Sequence, residues 1–281
     1  MNIQKAIKKA QIKLIKSNIT SSLLDSEILM SKVLNKEREY IILNVKKELN
    51  QKDFDYFKYL VNDRAKGKPV AYITGKKFFW KYEFDVNENV LIPRPDTELI
   101  IEEILKITKN KNRLRLLDIG IGSGCIILSI LKEKKNFLGT GIDLSSKCLD
   151  ISKKNANKLN VSNRIKLFKS NVDKFIYGKY DLIISNPPYI KKLDLKYLEK
   201  DVINFEPKLA LDGGNDGLDV IKKVIYKSRT ILKKCGTLAL EIGKGQQYDV
   251  SQILKDQGFT IKVLVKDYQN NVRCILANIR N

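Results

Sequence analysis

The chain has 281 residues, of which 43% are hydrophobic, and its formal net charge is +21 at pH 7. This length supports one large core or two domains, and without a run of about 18 apolar residues we expect no transmembrane helix. The absence of His excludes Ser-His and Cys-His nucleophiles, and four Cys without a C-x-x-C spacing argue against a zinc or iron–sulfur site. We expect these four cysteines to be buried free thiols.

Apolar residues recur at helical spacing through residues 1–66, which predicts a small helical bundle. Its first twenty residues carry Lys at helical spacing and no apolar segment typical of a signal peptide, so we expect a cytoplasmic protein. We predict four helices: one with Ile3, Ile7, Ala10 and Leu14 inward, one that Ser21 or Ser22 caps and that runs through Leu34, and two at 37–44 and 51–66.

Residues 67–90 form a predicted linker between two domains. Two segments within it, 69–75 and 78–86, are rich in aromatic and β-branched residues. That composition favours strands, and the pair predicts a β-hairpin.

From residue 91 to 281, strand patterns alternate with helical patterns. We predict strands at 114–119, 137–142, 164–169, 181–185, 236–242, 259–265 and 272–279, and helices at 97–108, 124–133, 145–159, 216–234 and 246–257. The last two strands follow each other without a helix. The pattern therefore predicts an α/β fold, a doubly wound sheet of seven strands with one antiparallel member.

The first predicted strand of this region runs into a glycine-rich turn, Gly120-Ile121-Gly122-Ser123-Gly124. Glycine lets the backbone turn tightly and approach a ligand closely. Asp143 follows roughly 20 residues later, at the end of the next predicted strand, a spacing typical of an acid on a ribose hydroxyl pair. The G-x-G-x-G spacing differs from the dinucleotide fingerprint, and the Lys-Ser/Thr of a P-loop is missing, which disfavours pyrophosphate and triphosphate ligands.

A second motif, Asn186-Pro187-Pro188-Tyr189, follows the predicted strand 181–185, at an edge where open α/β sheets bind ligands. The Asn oxygen and a backbone carbonyl can accept both hydrogens of a planar –NH2 group. The Tyr ring can stack on that group, and the prolines hold the acceptors rigid. Pro-Pro alone also marks ordinary turns, so this interpretation depends on the glycine loop as well.

Several further segments follow in order along the chain. They are Arg64-x-x-Gly67-x-Pro69-x-x-Tyr72-Ile73-x-Gly75, Phe79, Val90-Leu91-Ile92-Pro93-Arg94-Pro95-Asp96-Thr97-Glu98 and Glu206-Pro207-x-x-Ala210-Leu211. With the glycine loop and Asn-Pro-Pro-Tyr-Ile, they make essentially the whole chain resemble the HemK/PrmC family. Members of that family methylate the side-chain amide of the glutamine in the Gly-Gly-Gln motif of class 1 peptide chain release factors.

The resemblance implies a class I methyltransferase fold with S-adenosyl-L-methionine as the cofactor. It implies substrate binding by Asn186, Pro187, Pro188 and Tyr189, with catalytic roles for Asn186, Pro187 and Tyr189. The implied cofactor-binding residues are Gly120, Ile121, Gly122, Ser123, Gly124, Asp143, Asn171, Val172 and Asn186. One departure is that the family usually places an acidic, adenine-contacting residue where this chain has Lys169-Ser170-Asn171-Val172.

Two roles for the Pro93–Glu98 segment stay open. Pro93 and Pro95 stiffen the entry to a helix that Asp96 or Thr97 can cap, and the resemblance implies that the segment also shapes the active-site pocket.

The resemblance implies class 1 release factors as partners, proximity to RNA or the ribosome through the release factor, and no membrane association. We expect a monomer in which the bundle of residues 1–66 recognises the substrate. The positive charge suits an anionic partner, but most basic residues are Lys, as A+T-rich codon usage also produces.

Three alternatives stay open. One is methylation of a ribosomal protein glutamine, and another is methylation of adenine N6 or guanine N2 in nucleic acid, where the same tetrapeptide would hold a flipped base. The N-terminal helices show no helix-turn-helix signature, which argues against the second. A binding module without activity is the third, and the glycine loop and Asn-Pro-Pro-Tyr argue against it.

Overall fold

The computed structural model describes residues 1–279. The chain forms two compact units, residues 1–76 with 199–205, and residues 77–198 with the chain from 206 onward. The helices are α1 (Ile3–Lys16), α2 (Ser22–Leu34), α3 (Arg38–Leu43), α4 (Gln51–Ala65), α5 (Val70–Thr74), α6 (Glu98–Ile107), α7 (Cys125–Glu133), α8 (Ser146–Lys158), α9 (Lys200–Phe205), α10 (Asp219–Ile231) and α11 (Gln247–Asp256). The strands are β1 (Lys76–Phe79), β2 (Tyr82–Asp85), β3 (Arg115–Ile119), β4 (Leu138–Asp143), β5 (Ile165–Lys169), β6 (Tyr180–Ser185), β7 (Leu232–Glu241), β8 (Phe259–Lys266) and β9 (Val272–Ile279).

The first unit is helical, as the apolar spacing predicted. Asparagine caps begin two of its helices: the Asn2 side chain accepts from the backbone N–H of Lys5 at 2.9 Å, and Asn50 accepts from Asp53 at 2.8 Å. The predicted inward stripe of α1 is buried in the core of this unit. These caps and this core explain why the helices begin and pack as they do.

Arg64 organises the polar part of the first unit. Its guanidinium is buried and donates to Asp25 of α2 at 2.7 Å, and to the backbone carbonyls of Gly67 and Lys68 at 3.3 and 3.2 Å. It also pairs with Asp201 of α9 at 3.5 Å. A buried guanidinium needs this many acceptors, which gives the Arg64-x-x-Gly67 motif a structural role.

A β-hairpin is present, but it is not the pairing of residues 69–75 with residues 78–86 that the sequence pattern predicted, because both of its strands lie within residues 76–85. Strands β1 and β2 pair as a two-stranded sheet, whereas residues 70–74, which we expected in a strand, form helix α5. Pro69 sets a fixed φ before the first helical residue, and Gly75 ends the helix in the left-handed region at φ 79°. These two residues outweigh the strand propensity of the segment between them.

The second unit contains the predicted seven-stranded sheet, in the order β5-β4-β3-β6-β7-β9-β8. Strand β9 runs antiparallel to both of its neighbours, so the prediction of a doubly wound sheet with one antiparallel member is confirmed. Apolar clusters cover both faces of the sheet.

The largest difference from the predicted boundaries lies around α10. That helix begins at Asp219 instead of residue 216, and β7 begins at Leu232 instead of residue 236. Gly214 and Gly217 have φ values of 90° and 77°, a conformation that belongs to a turn and delays the helix.

We expected four buried free thiols, and the structure corrects this for two of them. Cys148 and Cys274 are buried, Cys125 is half-buried, and Cys235 is exposed near the start of β7, where φ is 58° and the pairing with β6 is irregular. Within residues 1–279 no helix is long and apolar enough to cross a membrane.

Candidate active site

The reversal of strand order in the sheet marks the place of the site. From β3 the chain proceeds outward through β4 and β5, then returns to the other side of β3 as β6. Open α/β sheets bind ligands at such a switch point, beyond the carboxyl ends of the strands. Ile119 of β3 is paired with Ser185 of β6, so the glycine loop and the Asn-Pro-Pro-Tyr segment leave the sheet side by side.

The glycine loop turns because its three glycines have positive φ values. Gly120, Gly122 and Gly124 have φ of 77°, 54° and 81°. A Cβ at Gly124 would also lie 2.7 Å from Leu128 Cδ1, so the Leu128 side chain would have to move. Below the loop, the Asn155 amide donates to the Ser123 carbonyl at 2.8 Å and the Ser152 hydroxyl donates to the Gly122 carbonyl at 2.7 Å. The loop is therefore fixed in shape.

Asp143 lies at the end of β4 beside this loop. One carboxylate oxygen accepts from the backbone N–H of Gly122 at 3.0 Å, and the other accepts from Ser145 at 2.9 Å. Each oxygen keeps a second lone pair for a ligand donor. The predicted ribose acid is thus held in place by the glycine loop itself.

Asn171 and Val172 follow β5 at the same edge of the sheet. The Asn171 oxygen accepts from the backbone N–H of Asp173 at 3.1 Å and caps a short 3₁₀ turn, and Val172 is buried. Where the resembling family usually has an acidic residue, this chain therefore has the amide of Asn171, which caps a turn.

Asn186 is oriented by a residue of the Pro93–Glu98 segment. Its side-chain nitrogen donates to the Thr97 hydroxyl at 3.2 Å, and Thr97 is buried. Within residues 1–279 no donor is bonded to the Asn186 side-chain oxygen or to the Pro187 carbonyl. Two acceptors at this position are consequently available to a ligand.

A second glycine segment supports Asn-Pro-Pro-Tyr from its far side. Gln246 donates to the Tyr189 carbonyl at 3.0 Å and to the Gly217 carbonyl at 3.1 Å. A Cβ at Gly213 would lie 2.8 Å from Tyr189 Cα and 2.9 Å from the Pro188 carbonyl oxygen. Only glycine allows the two backbones to come this close.

The Pro93–Glu98 segment is tethered at both ends. Glu206 is buried, accepts from the Ile92 backbone N–H at 3.1 Å and forms an ion pair with Arg94. Glu98 accepts from the backbone N–H of Trp80 in the hairpin at 2.8 Å. The contacts of Glu206 therefore hold the Pro-Arg-Pro-Asp-Thr-Glu segment against the Glu206-Pro207 segment.

Tyr189 faces the protein interior. Its hydroxyl donates to Glu241 at the end of β7 at 3.4 Å and accepts from Arg273 at 3.3 Å, and the guanidinium of Arg273 lies over its ring at 5.8 Å. Burial, and next to it the charge of Glu241, raises the pKa of Tyr189 to about 12, which keeps the hydroxyl protonated as a donor. The predicted stacking of this ring on a substrate amide stays a prediction.

Two carboxyl groups are buried at this edge. Burial raises the pKa of Asp118, two residues before the glycine loop, to about 7, and also raises that of Glu241 to about 7. A hydrogen bond with Thr97 and the charge of Arg273 act against the rise at Glu241. At neutral pH each of these two carboxyl groups is therefore close to half ionised.

One cavity of about 670 Å³ joins the two motifs. Ten of the predicted site residues line it: Gly120, Ile121, Gly122, Ser123, Asp143, Asn171, Val172, Asn186, Pro187 and Pro188. Gly124 and Tyr189 lie behind this lining. Thr97 also lines the cavity, in agreement with the second of the two roles left open for the Pro93–Glu98 segment.

Sequence reasoning missed Glu241, Arg273 and Gly213 as parts of the site. Gly213 could have been found, because Gly213, Gly214 and Gly217 cluster shortly after the Glu206-Pro207 motif. No local pattern marks Glu241 or Arg273, which the pairing of β7 with β9 brings to Tyr189.

These residues fit S-adenosyl-L-methionine. The glycine loop exposes backbone close to the cavity, and Asp143 keeps acceptor capacity for hydroxyl groups. The volume lies in the range of cofactor sites. Residues 1–279 contain no group of three or more Cys, Asp or Glu arranged to hold a metal ion.

Comparison with known proteins agrees with this geometry. Residues 5–75 match the family model PrmC N-terminal domain, and residues 95–215 match the model Methyltransferase small domain. A release factor glutamine methyltransferase of Clostridium acetobutylicum is 38% identical over 281 residues, covering 99% of this chain and 98% of that protein. A bifunctional methyltransferase of Rickettsia conorii is 36% identical over 98% of this chain, which spans 57% of that longer protein.

Among solved structures, the catalytic domain of hMettl16 in complex with MAT2A 3'UTR hairpin 6 is similar in fold. Its TM-score is 0.58 at 20% identity, covering 70% of this chain and 74% of that one. This likeness shows the class I methyltransferase fold alone. The full-length sequence similarity goes further: the chain belongs to the release factor glutamine methyltransferase family.

Proposed function

We propose that this protein transfers a methyl group from S-adenosyl-L-methionine to the side-chain amide nitrogen of the glutamine in the Gly-Gly-Gln motif of class 1 peptide chain release factors. The observation that carries the proposal is the pair of unoccupied acceptors, Asn186 Oδ1 and the Pro187 carbonyl, at the cavity that the glycine loop borders. Similarity to release factor glutamine methyltransferases over nearly the whole chain supports the choice of substrate.

The substrate group determines what these acceptors must do. An amide nitrogen is a poor nucleophile because its lone pair is delocalised into the carbonyl. Asn186 Oδ1 and the Pro187 carbonyl accept its two hydrogens and hold the nitrogen toward the cofactor side of the cavity. They also stabilise positive charge that develops on nitrogen, so they combine positioning with electrostatic stabilisation.

The cofactor would be held by the glycine loop, Asp143, Asn171 and Val172. When bound, S-adenosyl-L-methionine supplies a methyl group that is already activated, so neither a metal ion nor a strong base is required, and the proton that the amide nitrogen loses leaves to water. The backbone at Gly120 and Gly122 allows close approach, and Asp143 accepts from hydroxyl groups. Pro187 and Pro188 restrict the backbone, so the acceptors lose little freedom when the substrate binds.

We further propose that the helical unit at the N-terminus contributes to recognition of the release factor, because the PrmC N-terminal domain model matches it. We expect a monomer that acts in the cytoplasm and meets RNA only through its substrate. The net charge of +21 is compatible with such surroundings.

The test is methyl transfer from labelled S-adenosyl-L-methionine to a purified class 1 release factor. A release factor with Gln→Ala in its Gly-Gly-Gln motif is the control, and ribosomal protein and RNA are offered in parallel. Label on the wild-type factor alone supports the proposal. Label only on ribosomal protein or RNA would move the activity to one of those substrates.

A further inference from the structure

The side-chain amide of Asn186 could present either of two faces to the substrate. Its oxygen accepts hydrogen bonds, whereas its nitrogen donates two, and the two groups have nearly the same size. A substrate –NH2 needs the oxygen, because two donors facing each other repel. Some neighbouring group must therefore decide which way this amide points.

Thr97 is the direct partner of that amide. It lies at the end of the 3₁₀ turn Pro95–Thr97 and accepts from Asn186 Nδ2 at 3.2 Å. A hydroxyl alone does not decide the orientation, because it can accept from the nitrogen or donate to the oxygen. The choice depends on where the single hydrogen of Thr97 goes.

Glu241 lies on the other side of Thr97. Ser185 and Leu240 are paired across β6 and β7, so the next residues, Asn186 and Glu241, leave the sheet together. Glu241 is buried, interacts with the Thr97 hydroxyl, and has one oxygen that lacks a hydrogen-bond partner within residues 1–279. An ionised carboxylate only accepts, so it takes the Thr97 hydrogen and leaves the Thr97 oxygen to accept from Asn186.

The opposite side of Glu241 favours the same arrangement. Arg273 donates to the Tyr189 hydroxyl at 3.3 Å, which commits the hydrogen of that hydroxyl to Glu241 at 3.4 Å. The hydrogen bonds therefore run in one sense from Arg273 through Tyr189 to Glu241. The bond from Asn186 to Thr97 would extend in the same sense to this carboxylate once the Thr97 hydroxyl turns its hydrogen toward Glu241.

We propose that Thr97 and Glu241 are positioning residues that hold the Asn186 amide with its oxygen toward the cavity. Neither residue needs to touch the substrate. The inference rests on the proposed function, because it explains how that function obtains its acceptor. It also gives the Thr97 side chain a role other than the predicted cap, because Thr97 precedes α6 but makes no capping hydrogen bond with its side chain.

The ionisation of Glu241 gives the arrangement a pH dependence. Burial and the neighbouring Asp96 raise the pKa of Glu241 to about 7, while Thr97, Arg273 and Tyr189 lower it. Cys125 and Cys274, whose thiols remain protonated because burial raises their pKa, are the other titratable groups near the carboxyl. Below about pH 7 a protonated Glu241 can donate to Thr97, and the Asn186 amide is free to reverse.

The experiment compares Thr97→Val, Thr97→Ser and Glu241→Gln with the wild-type chain, and Thr108→Val is the matched control. Thr108 is a buried threonine that follows the other end of α6, and within residues 1–279 its hydroxyl bonds only to the backbone carbonyl of Ile104, at 2.6 Å. Two quantities are measured: kcat of methyl transfer, and the ¹⁵N–¹H resonances of the Asn186 side-chain amide without substrate. Asn186→Ala assigns those resonances.

We expect Thr97→Val and Glu241→Gln to lower kcat about 10²-fold, the loss typical of one oriented polar group. The affinity for S-adenosyl-L-methionine should stay within about threefold, as expected when only the acceptor is affected. The Asn186 resonances should titrate near pH 7 in wild type, shift in both variants and lose that titration. Thr97→Ser should recover most of kcat and the wild-type resonances.

Unchanged resonances and a kcat within threefold of wild type in Thr97→Val would overturn the inference. The same holds if Thr108→Val lowers kcat as much as Thr97→Val, because the loss would then reflect general destabilisation. A wild-type chain that does not methylate the release factor overturns the proposed function instead. In that case the resonances and their titration still decide the orientation of Asn186, since they require no substrate.

Discussion

At the scale of single residues, the site is defined by which polar atoms have partners and which do not. Asn186 Nδ2 is bonded to Thr97, and both oxygens of Asp143 accept from backbone N–H groups. Asn186 and Pro187 line the cavity, and within residues 1–279 no donor is bonded to Asn186 Oδ1 or to the Pro187 carbonyl. An unpaired acceptor at a cavity is available to a ligand, which is why we place the substrate amide there.

Replacing Asn186 by alanine tests the role of that acceptor. We expect Asn186→Ala to lower kcat by at least about 10²-fold, since it removes one of two groups that hold and polarise the amide. Cofactor affinity should change little, as measured by calorimetry with S-adenosyl-L-methionine. Asn136→Ala, at an exposed position, is the control. A parallel loss of cofactor affinity in Asn186→Ala would contradict the assignment.

Asp118 gives a prediction about stability and pH. Its folded-state pKa is raised from 3.8 to about 7, so the folded protein retains the proton to higher pH than the unfolded chain does. The contribution of Asp118 to the free energy of unfolding is therefore greatest at low pH and falls as pH rises toward 7, by about 1.4 kcal/mol per pH unit. Asp118→Asn, which keeps the neutral shape, should remove this contribution.

The measurement is urea unfolding of wild type and Asp118→Asn near pH 5 and near pH 8. We expect the free energy of unfolding of wild type, relative to the variant, to fall by about 3 kcal/mol between these conditions. An equal pH dependence in both proteins would show that Asp118 is ionised without penalty in the fold.

At the scale of elements, the site depends on segments that approach each other closely. The Asn-Pro-Pro-Tyr segment rests on the glycines of residues 213–217, and the Pro93–Glu98 segment is tethered by Glu206. These contacts fix the backbone of two loops that carry Asn186 and Thr97. A reaction that depends on orientation requires that Asn186 and Thr97 be held in fixed positions.

Gly213 tests this support. In Gly213→Ala the new Cβ would lie 2.8 Å from Tyr189 Cα and 2.9 Å from the Pro188 carbonyl oxygen, so the backbone of the motif must shift. We expect kcat to fall about 10- to 100-fold with cofactor affinity nearly unchanged. Gly258→Ala is the control: it has φ 77° and no atom within 4 Å of the new Cβ. Gly258→Ala should lower the free energy of unfolding but leave kcat as in wild type. A similar kcat for Gly213→Ala and Gly258→Ala would show that Gly213 does not support the motif.

Much of the fold and part of the site follow from local sequence. The strand before the glycine loop and the strand before Asn-Pro-Pro-Tyr were predicted within a residue of β3 and β6, because apolar runs ended by Gly or Pro leave little ambiguity. Residues 70–74 were mispredicted because their composition suits a strand while Pro69 and Gly75 enforce a helix. Glu241 and Arg273 could not be predicted, since they reach Tyr189 only through the pairing of distant strands.

At the scale of the whole molecule, cofactor binding should be linked to the stability of the fold. The glycine loop and Asp143 connect β3, β4 and α7, so a ligand that bonds to them stabilises the folded state over the unfolded chain. At a concentration 100 times its dissociation constant, such a ligand adds about 2.7 kcal/mol. The melting temperature should therefore rise with S-adenosyl-L-methionine.

Asp143→Ala should abolish most of that rise, because it removes both the predicted hydroxyl acceptor and the bond that holds Gly122. Asp150→Ala, an exposed acidic position on α8, should keep it. Differential scanning calorimetry of the three proteins with and without cofactor measures the effect. A full rise in Asp143→Ala would show that the cofactor binds elsewhere.

Mass spectrometry can map the methyl groups on a class 1 release factor after incubation with this protein and S-adenosyl-L-methionine. We predict one methyl group on the side-chain nitrogen of the Gly-Gly-Gln glutamine, and an initial rate at least about 10²-fold lower when Asn186→Ala replaces the wild-type chain. Methylation of another residue instead, or a rate in Asn186→Ala equal to that of wild type, would show that the proposed substrate or the role of Asn186 is wrong.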